Sequence, residues 1–238
     1  MRLRVINVLR VLSLFSLSYG PVSVAATNEM AGNWDSINLS GNLDKFSPAL
    51  KDFHWQILEQ TRQRDDSSNG FRFSENLLFG QLGYSINQNA SVWVGYVHDW
   101  IHPLDKLAYQ ENRPYEDFLW NSSLGDLKFT GRLRLEQRIR QDTGDVGVRA
   151  RELVQVNYPL RFIHKDLSAY VGDEVMEYVN DNTFGRTGFT ENRALAGVGF
   201  QFTKQLGADL GYLGQYVQSK TGNNLFTHNV QFNVRYQF

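Results

Sequence analysis

Arginines recur with period two in one part of this chain: Arg132, Arg134 and Arg138 share a parity with Glu136, and after a short gap Arg149 and Arg151 repeat the spacing. With Arg193, Arg235 and Glu174 from farther along they form a ladder of permanently charged guanidinium groups and acceptor-only carboxylates. Such groups pair bidentately with each other or recognise anions. Two chemistries are therefore open: an internal ion-pair scaffold, which is the leading reading, and a selective anion path or ligand site. A second constellation is Tyr96-Val97-His98-Asp99-Trp100-Ile101-His102 together with His228, the residue types of general acid–base catalysis. His98 and Asp99 are adjacent on an expected strand, so their side chains point to opposite faces and cannot form one dyad. The chain has no phosphate loop, HExxH, nucleophile elbow or dinucleotide fingerprint, and no catalytic residue, cofactor or metal ligand is assigned.

The ladder needs strands to hold it. From Asp126 to Arg140, Leu127, Phe129, Leu133, Leu135 and Ile139 make one face and the arginines, with Lys128, make the other. Gln141 to Asp145 reads as a hairpin turn, and Val146 to Tyr158 continues the alternation. On a soluble sheet this would be an exposed basic face; in a closed barrel it is a polar lumen in which arginines meet carboxylates away from lipid. The last segment is the clearest, with His228, Val230, Phe232, Val234, Tyr236 and Phe238 opposing only polar residues. Ten such segments are expected, at 52–63, 71–86, 90–101, 113–122, 126–140, 146–158, 165–178, 188–203, 206–218 and 226–238.

Ten is an even number, as in bacterial single-chain barrels, and short turns alternate with long polar loops, the exception being the segment 159–166. Trp55, Trp93, Trp120, Tyr158 and Phe238 cluster toward the turn end, and Phe71, Phe73, Trp100 and Tyr216 toward the loop end, as interfacial girdles would. Residues 33–43 leave three arrangements open: an extra strand, a lumen plug or a lead-in. Two residues break the alternation. Glu152 falls on the apolar face, which calls for a bulge or a position near an interface, and the parity change in the second strand calls for a bulge near Glu75.

The chain has 238 residues, no cysteine, and 24 Lys+Arg against 25 Asp+Glu. That balance gives no basic footprint for nucleic acid, and the missing cysteine removes disulfides, thiolate zinc sites and a thiol nucleophile. A mean hydropathy of −0.41 excludes a helical membrane bundle but not a barrel. Arg2, Arg4 and Arg10, the apolar run Val11 to Leu17, and Val24-Ala25-Ala26 read as a secretory signal over 1–26. Its removal takes away three arginines and moves the formal charge from −1 to −4. The expected organisation is the signal at 1–26, a lead-in at 27–51, and an antiparallel transmembrane β-barrel of about ten strands at 52–238.

The last eight residues, Gln231 to Phe238, resemble the signal read by the outer-membrane insertion machinery, with Tyr236 two before the terminal Phe238 and Asn233 in place of the usual glycine. Further motifs are Glu111-Asn112-Arg113, Arg132 to Arg138, Tyr158-Pro159-Leu160, Asp173-Glu174, Asn192-Arg193 with Gly197-Val198-Gly199, Gly211-Tyr212 with Gln215-Tyr216, and His228. In order and spacing these resemble one family of Gram-negative outer-membrane barrels, the domain of unknown function 2490; Pro114 departs from its pattern. The resemblance implies architecture and an outer-membrane location, among its lipids and lipopolysaccharide, and no activity. A non-enzymatic envelope role, structural or narrow-pore, is the leading expectation. A hydrolase acting on lipid or peptide at the outer rim is the alternative. A wide aqueous channel is not expected, since these go with about 16–18 strands.

Overall fold

A computed structural model describes residues 26–103 and 106–238; residues 1–25 of the expected signal segment lie outside them. The strands are β1 (Thr27–Asn42), β2 (Phe53–Arg64), β3 (Arg72–Ser85), β4 (Ala90–Ile101), β5 (Tyr109–Leu124), β6 (Leu127–Arg140), β7 (Val146–Pro159), β8 (Leu167–Tyr178), β9 (Gly188–Gln201), β10 (Leu206–Val217) and β11 (Asn224–Gln237). Two short 3-10 turns, Leu43–Lys45 and Pro48–Leu50, link β1 to β2. Every strand pairs with its sequence neighbours, and β1 closes the sheet against β11, so no edge is left unpaired.

The ten expected strands are all present, with an eleventh before them. Residues 27–42 are neither plug nor lead-in: they form β1, antiparallel to β2 and parallel to β11 from Thr27↔Asn224 to Ser40↔Gln237. The even-numbered arrangement therefore does not hold, and the two ends of the barrel wall, Thr27 and Phe238, sit at opposite rims. Alternation did not reveal β1 because it is polar on both sides, with Asn33 and Asp35 outward and Ser36 and Asn38 inward around a buried Trp34. β5 is longer than expected. It begins at Tyr109 and accommodates Pro114, which lies opposite Tyr96 on β4 and drops out of the β5–β6 register.

Alternation then sorts side chains between lumen and exterior. Apolar groups stand exposed around the outside, among them Ile57, Leu82, Val94, Leu133, Val171, Leu210 and Val230. The bulge expected near Glu75 exists, with Ser74 as the extra residue opposite the Arg62/Gln63 step. β7 has no such shift at Glu152, which faces outward at mid-strand, paired with Leu133 and Val175. It shares the outer face with Glu116, Asp173 and Glu177, and Asn192 Nδ2 donates to Asp173 at 2.9 Å and 3.0 Å. Trp55 and Trp120 face outward at the turn end, with Trp55 against Phe238 at a centroid distance of 5.6 Å. Trp93 does not join them. Its parity turns it inward, where it stacks on His54, and the ring occupies the space above Gly83: a Cβ there would lie 2.3 Å from Trp93 Cδ2.

Candidate functional site in the barrel lumen

The ends of the strands differ inside the barrel. At the loop end, β5 turns Glu111 and Arg113 inward, β6 Glu136 and Arg138, β7 Arg149 and Arg151, β8 Glu174, β9 Glu191 and Arg193, β2 Arg62, β3 Glu75 and β4 Asp99. Consecutive strands each supply one or two charges, and the registers bring opposite signs together. Glu136 holds Arg149 at 2.5 Å and Arg151 at 3.0 Å. Arg149 continues to Glu191 at 3.3 Å, Glu191 to Arg193 at 2.6 Å, and Glu174 accepts from Arg151 at 2.7 Å and from Arg193 at 3.4 Å. Glu111 takes Arg113 and Arg138, both at 2.8 Å. Arg62 pairs with Glu75, and Asp99 is held by the charge of Arg113, its oxygens lacking an aligned donor.

These six arginines and six carboxylates balance, and most are buried; at the loop after β2, Arg64 and Arg72 share Asp66 at 3.4 Å and 2.6 Å. Aromatic rings pack against the network. Trp34 lies 3.8 Å from the Arg62 guanidinium and 4.9 Å from that of Arg193. Phe184, from the loop after β8, lies 4.1 Å from that of Arg138 and stacks on Tyr178, whose hydroxyl accepts from Arg138 at 2.7 Å. Buried charges on this scale are tolerated only when paired and hydrogen-bonded, a condition this cross-barrel network largely meets.

Toward the turns the lumen opens. Arg134 and Asp117 form a bidentate pair with both contacts at 2.7 Å, the guanidinium stacking on Tyr115 at 3.7 Å, and Arg235 pairs with Asp209. Tyr115 donates to Gln81 at 2.9 Å, and the His54 ring bridges Asn42 at 2.7 Å and Ser85 at 2.6 Å. Arg132 stands between Leu119 and Leu153 in the sheet and reaches past Leu153 to Glu174, 2.5 Å away. Inward glycines at 172, 197 and 211 leave space, part of it taken by Tyr170, whose hydroxyl crowds the positions a Cβ on Gly197 or Gly211 would need. The result is a cavity of about 540 Å³.

All nine ladder residues of the sequence reading, Arg132, Arg134, Glu136, Arg138, Arg149, Arg151, Glu174, Arg193 and Arg235, point into the lumen. Their partners are another matter. Arg132 does reach Glu174, but Arg134 goes to Asp117 and Arg138 to Glu111, not to Glu136 or Glu174. Sequence reasoning missed Arg62, Glu75, Glu111, Arg113, Asp117, Glu191 and Asp209 as lumen charges. The available signal was the parity of Glu111, Arg113, Tyr115 and Asp117 along β5.

The acid–base candidates separate. Asp99 is buried inside, whereas His98 faces outward onto Asn112 at 3.1 Å and Gln110 at 2.9 Å. His102 lies beyond β4 against Phe73, and His228 faces outward, 2.7 Å from the Tyr212 hydroxyl and 3.9 Å from Glu29. Among the described residues no cluster of His, Asp or Glu is arranged to hold a metal ion. No curated protein and no solved structure matches the chain. A family model described as Protein of unknown function (DUF2490) matches residues 31–226, and the chain belongs to that family.

Proposed function

We propose that this chain is an outer-membrane barrel of the Gram-negative envelope with a structural, non-conducting and non-enzymatic role. One observation carries the reading: the charge-balanced network that crosses the loop-end half of the lumen. A path for solute through it would have to break buried ion pairs, each costly to open once one partner is lost. The apolar exterior, closed on itself with no free edge, suits a bilayer, and contiguous apolar surface on this scale is foreign to soluble monomers. Tyr236 and Phe238 at the turn end would be what the insertion machinery reads, and the aromatics around Trp55 would meet lipid headgroups there. The separation of His98 from Asp99 across the barrel wall supports a non-enzymatic role.

Planar-bilayer recording combined with cell fractionation tests this. The expected result is a heat-modifiable outer-membrane protein that gives no resolved conductance steps, with assembly reduced when Phe238 is deleted. Stable steps would restore the narrow-pore alternative, and intact chain in the soluble periplasm would refute the membrane reading. A lipid A or surface-peptide species lost with His98→Ala or His228→Ala would favour the rim hydrolase.

A further inference from the structure

The lumen's charges do not cancel throughout. The six arginines and six carboxylates of the loop-end network are matched, and several of them form one wall of the cavity; its turn-end wall adds Arg132, Arg134 and Arg235 with Asp117 and Asp209. The last two pairs are closed, so the surplus falls on Arg132. Its one carboxylate partner, Glu174, already accepts from Arg151 at 2.7 Å and from Arg193 at 3.4 Å. Arg132 Nε is a buried donor with no partner. An unpaired donor on a charged group is costly to bury and is satisfied by an acceptor when one can enter. The side chain remains partly open to the cavity, at 21% exposure.

The surroundings select the acceptor. Leu119 and Leu153 flank Arg132 on the two neighbouring strands, and Leu195 lies against Gly172 one strand farther on. A single surplus positive charge calls for a monoanion, and the leucines call for an apolar stem behind it. The volume of about 540 Å³ falls in the range of small-molecule sites. We propose that the turn-end cavity binds a small amphipathic monocarboxylate, its carboxylate accepting from the part of the Arg132 guanidinium that stays open to the cavity and its stem on Leu119, Leu153 and Leu195. The inference deepens the proposed function by giving the sealed barrel a ligand cup, and it rests on that reading only for the side from which the ligand arrives.

The test is calorimetric titration of the whole barrel in nanodiscs of zwitterionic lipid, with empty nanodiscs subtracted, using hexanoate, uncharged hexanamide and inorganic phosphate as probes. Hexanoate is expected to bind saturably, hexanamide at least tenfold more weakly, and phosphate more weakly than hexanoate. Arg132→Gln should weaken hexanoate at least tenfold. Equal binding of hexanoate and hexanamide, preference for phosphate, or unchanged binding in Arg132→Gln would each overturn the proposal. If Arg132→Gln does not yield a heat-modifiable barrel, Arg132→Lys carries the test: it keeps the charge and removes the planar guanidinium, and unchanged hexanoate binding would overturn the contact. The titration is independent of orientation and conductance. A conducting barrel that binds hexanoate refutes only the sealed reading, and a sealed barrel that does not bind it refutes only the cup.

Discussion

The two halves of the lumen are lined by the same strands and much the same residue types, yet the loop end is the more densely charged and buried, and the cavity widens from it toward the turn end. At the loop end each long charged side chain finds an opposite charge on a neighbouring strand, and Trp34, Tyr178 and Phe184 fill what remains. At the turn end the charges are fewer and paired locally, inward glycines replace bulk, and one arginine is left over. On the proposed reading, the chaining of arginine and carboxylate pairs from strand to strand would fill the loop end, and its interruption at Arg132 would leave the turn end free for a ligand.

The comparison can be broken most severely at Glu136, which anchors both Arg149 and Arg151. Glu136→Ala leaves two buried guanidinium groups short of an acceptor and should lower stability by about 3–5 kcal/mol in denaturant titrations of the refolded barrel. No change would mean that the loop-end half is hydrated. A smaller effect is expected where the halves meet. A Cβ on Gly95 would lie 2.3 Å from Tyr115 Cζ, so Gly95→Ala must push the buried Tyr115 ring off Arg134. It should cost about 1–3 kcal/mol as an overpacked site, together with a changed near-ultraviolet circular dichroism signal. At the turn end Arg132→Gln removes one hydrogen bond and a donor that has no partner, while Glu174 keeps Arg151 and Arg193, so the net loss should be about 1 kcal/mol. A loss as large as that of Glu136→Ala would make the two halves alike.

The gentlest perturbation concerns the loop carrying Phe184. Asp181 accepts from the Thr187 backbone N–H at 2.8 Å and from its hydroxyl at 3.2 Å, and these donors hold its carboxyl below the ordinary aspartate value of 3.8. A depressed folded-state value stabilises the loop above the unfolded pKa and loses that contribution as pH falls through the folded one. The loop should therefore become more sensitive to an acid protease only below about pH 4, and Asp181→Asn should flatten that dependence. Equal acid sensitivity in both proteins would show that the carboxylate does not order the loop.

Much of the architecture was legible from period-two alternation, because an apolar outer face and a polar inner face impose it on most strands from β2 to β11. β1 escaped because its outward residues include Asn33 and Asp35, and nothing in a local pattern announces a parallel partner at the far end of the chain. The ladder on β6 and β7 was visible because several arginines recur within each strand. Asp117, Glu191 and Asp209 were not, since no run of like charges marks them within their strands and each gains its partner across the barrel only through the register. The cavity itself could not be foreseen: it depends on which strands place glycine inward at the same height.

If the lumen is sealed at the loop end and open at the turn end, thiols placed in the two halves will differ in reactivity. The chain has no cysteine, so single cysteines report without background. Thr227, fully buried in the loop-end half, and Asn157, which lines the cavity at the turn end, are placed to read the difference. In the folded barrel a charged methanethiosulfonate reagent should modify Asn157→Cys quickly and leave Thr227→Cys unmodified until denaturation. Comparable rates at the two positions would contradict the account.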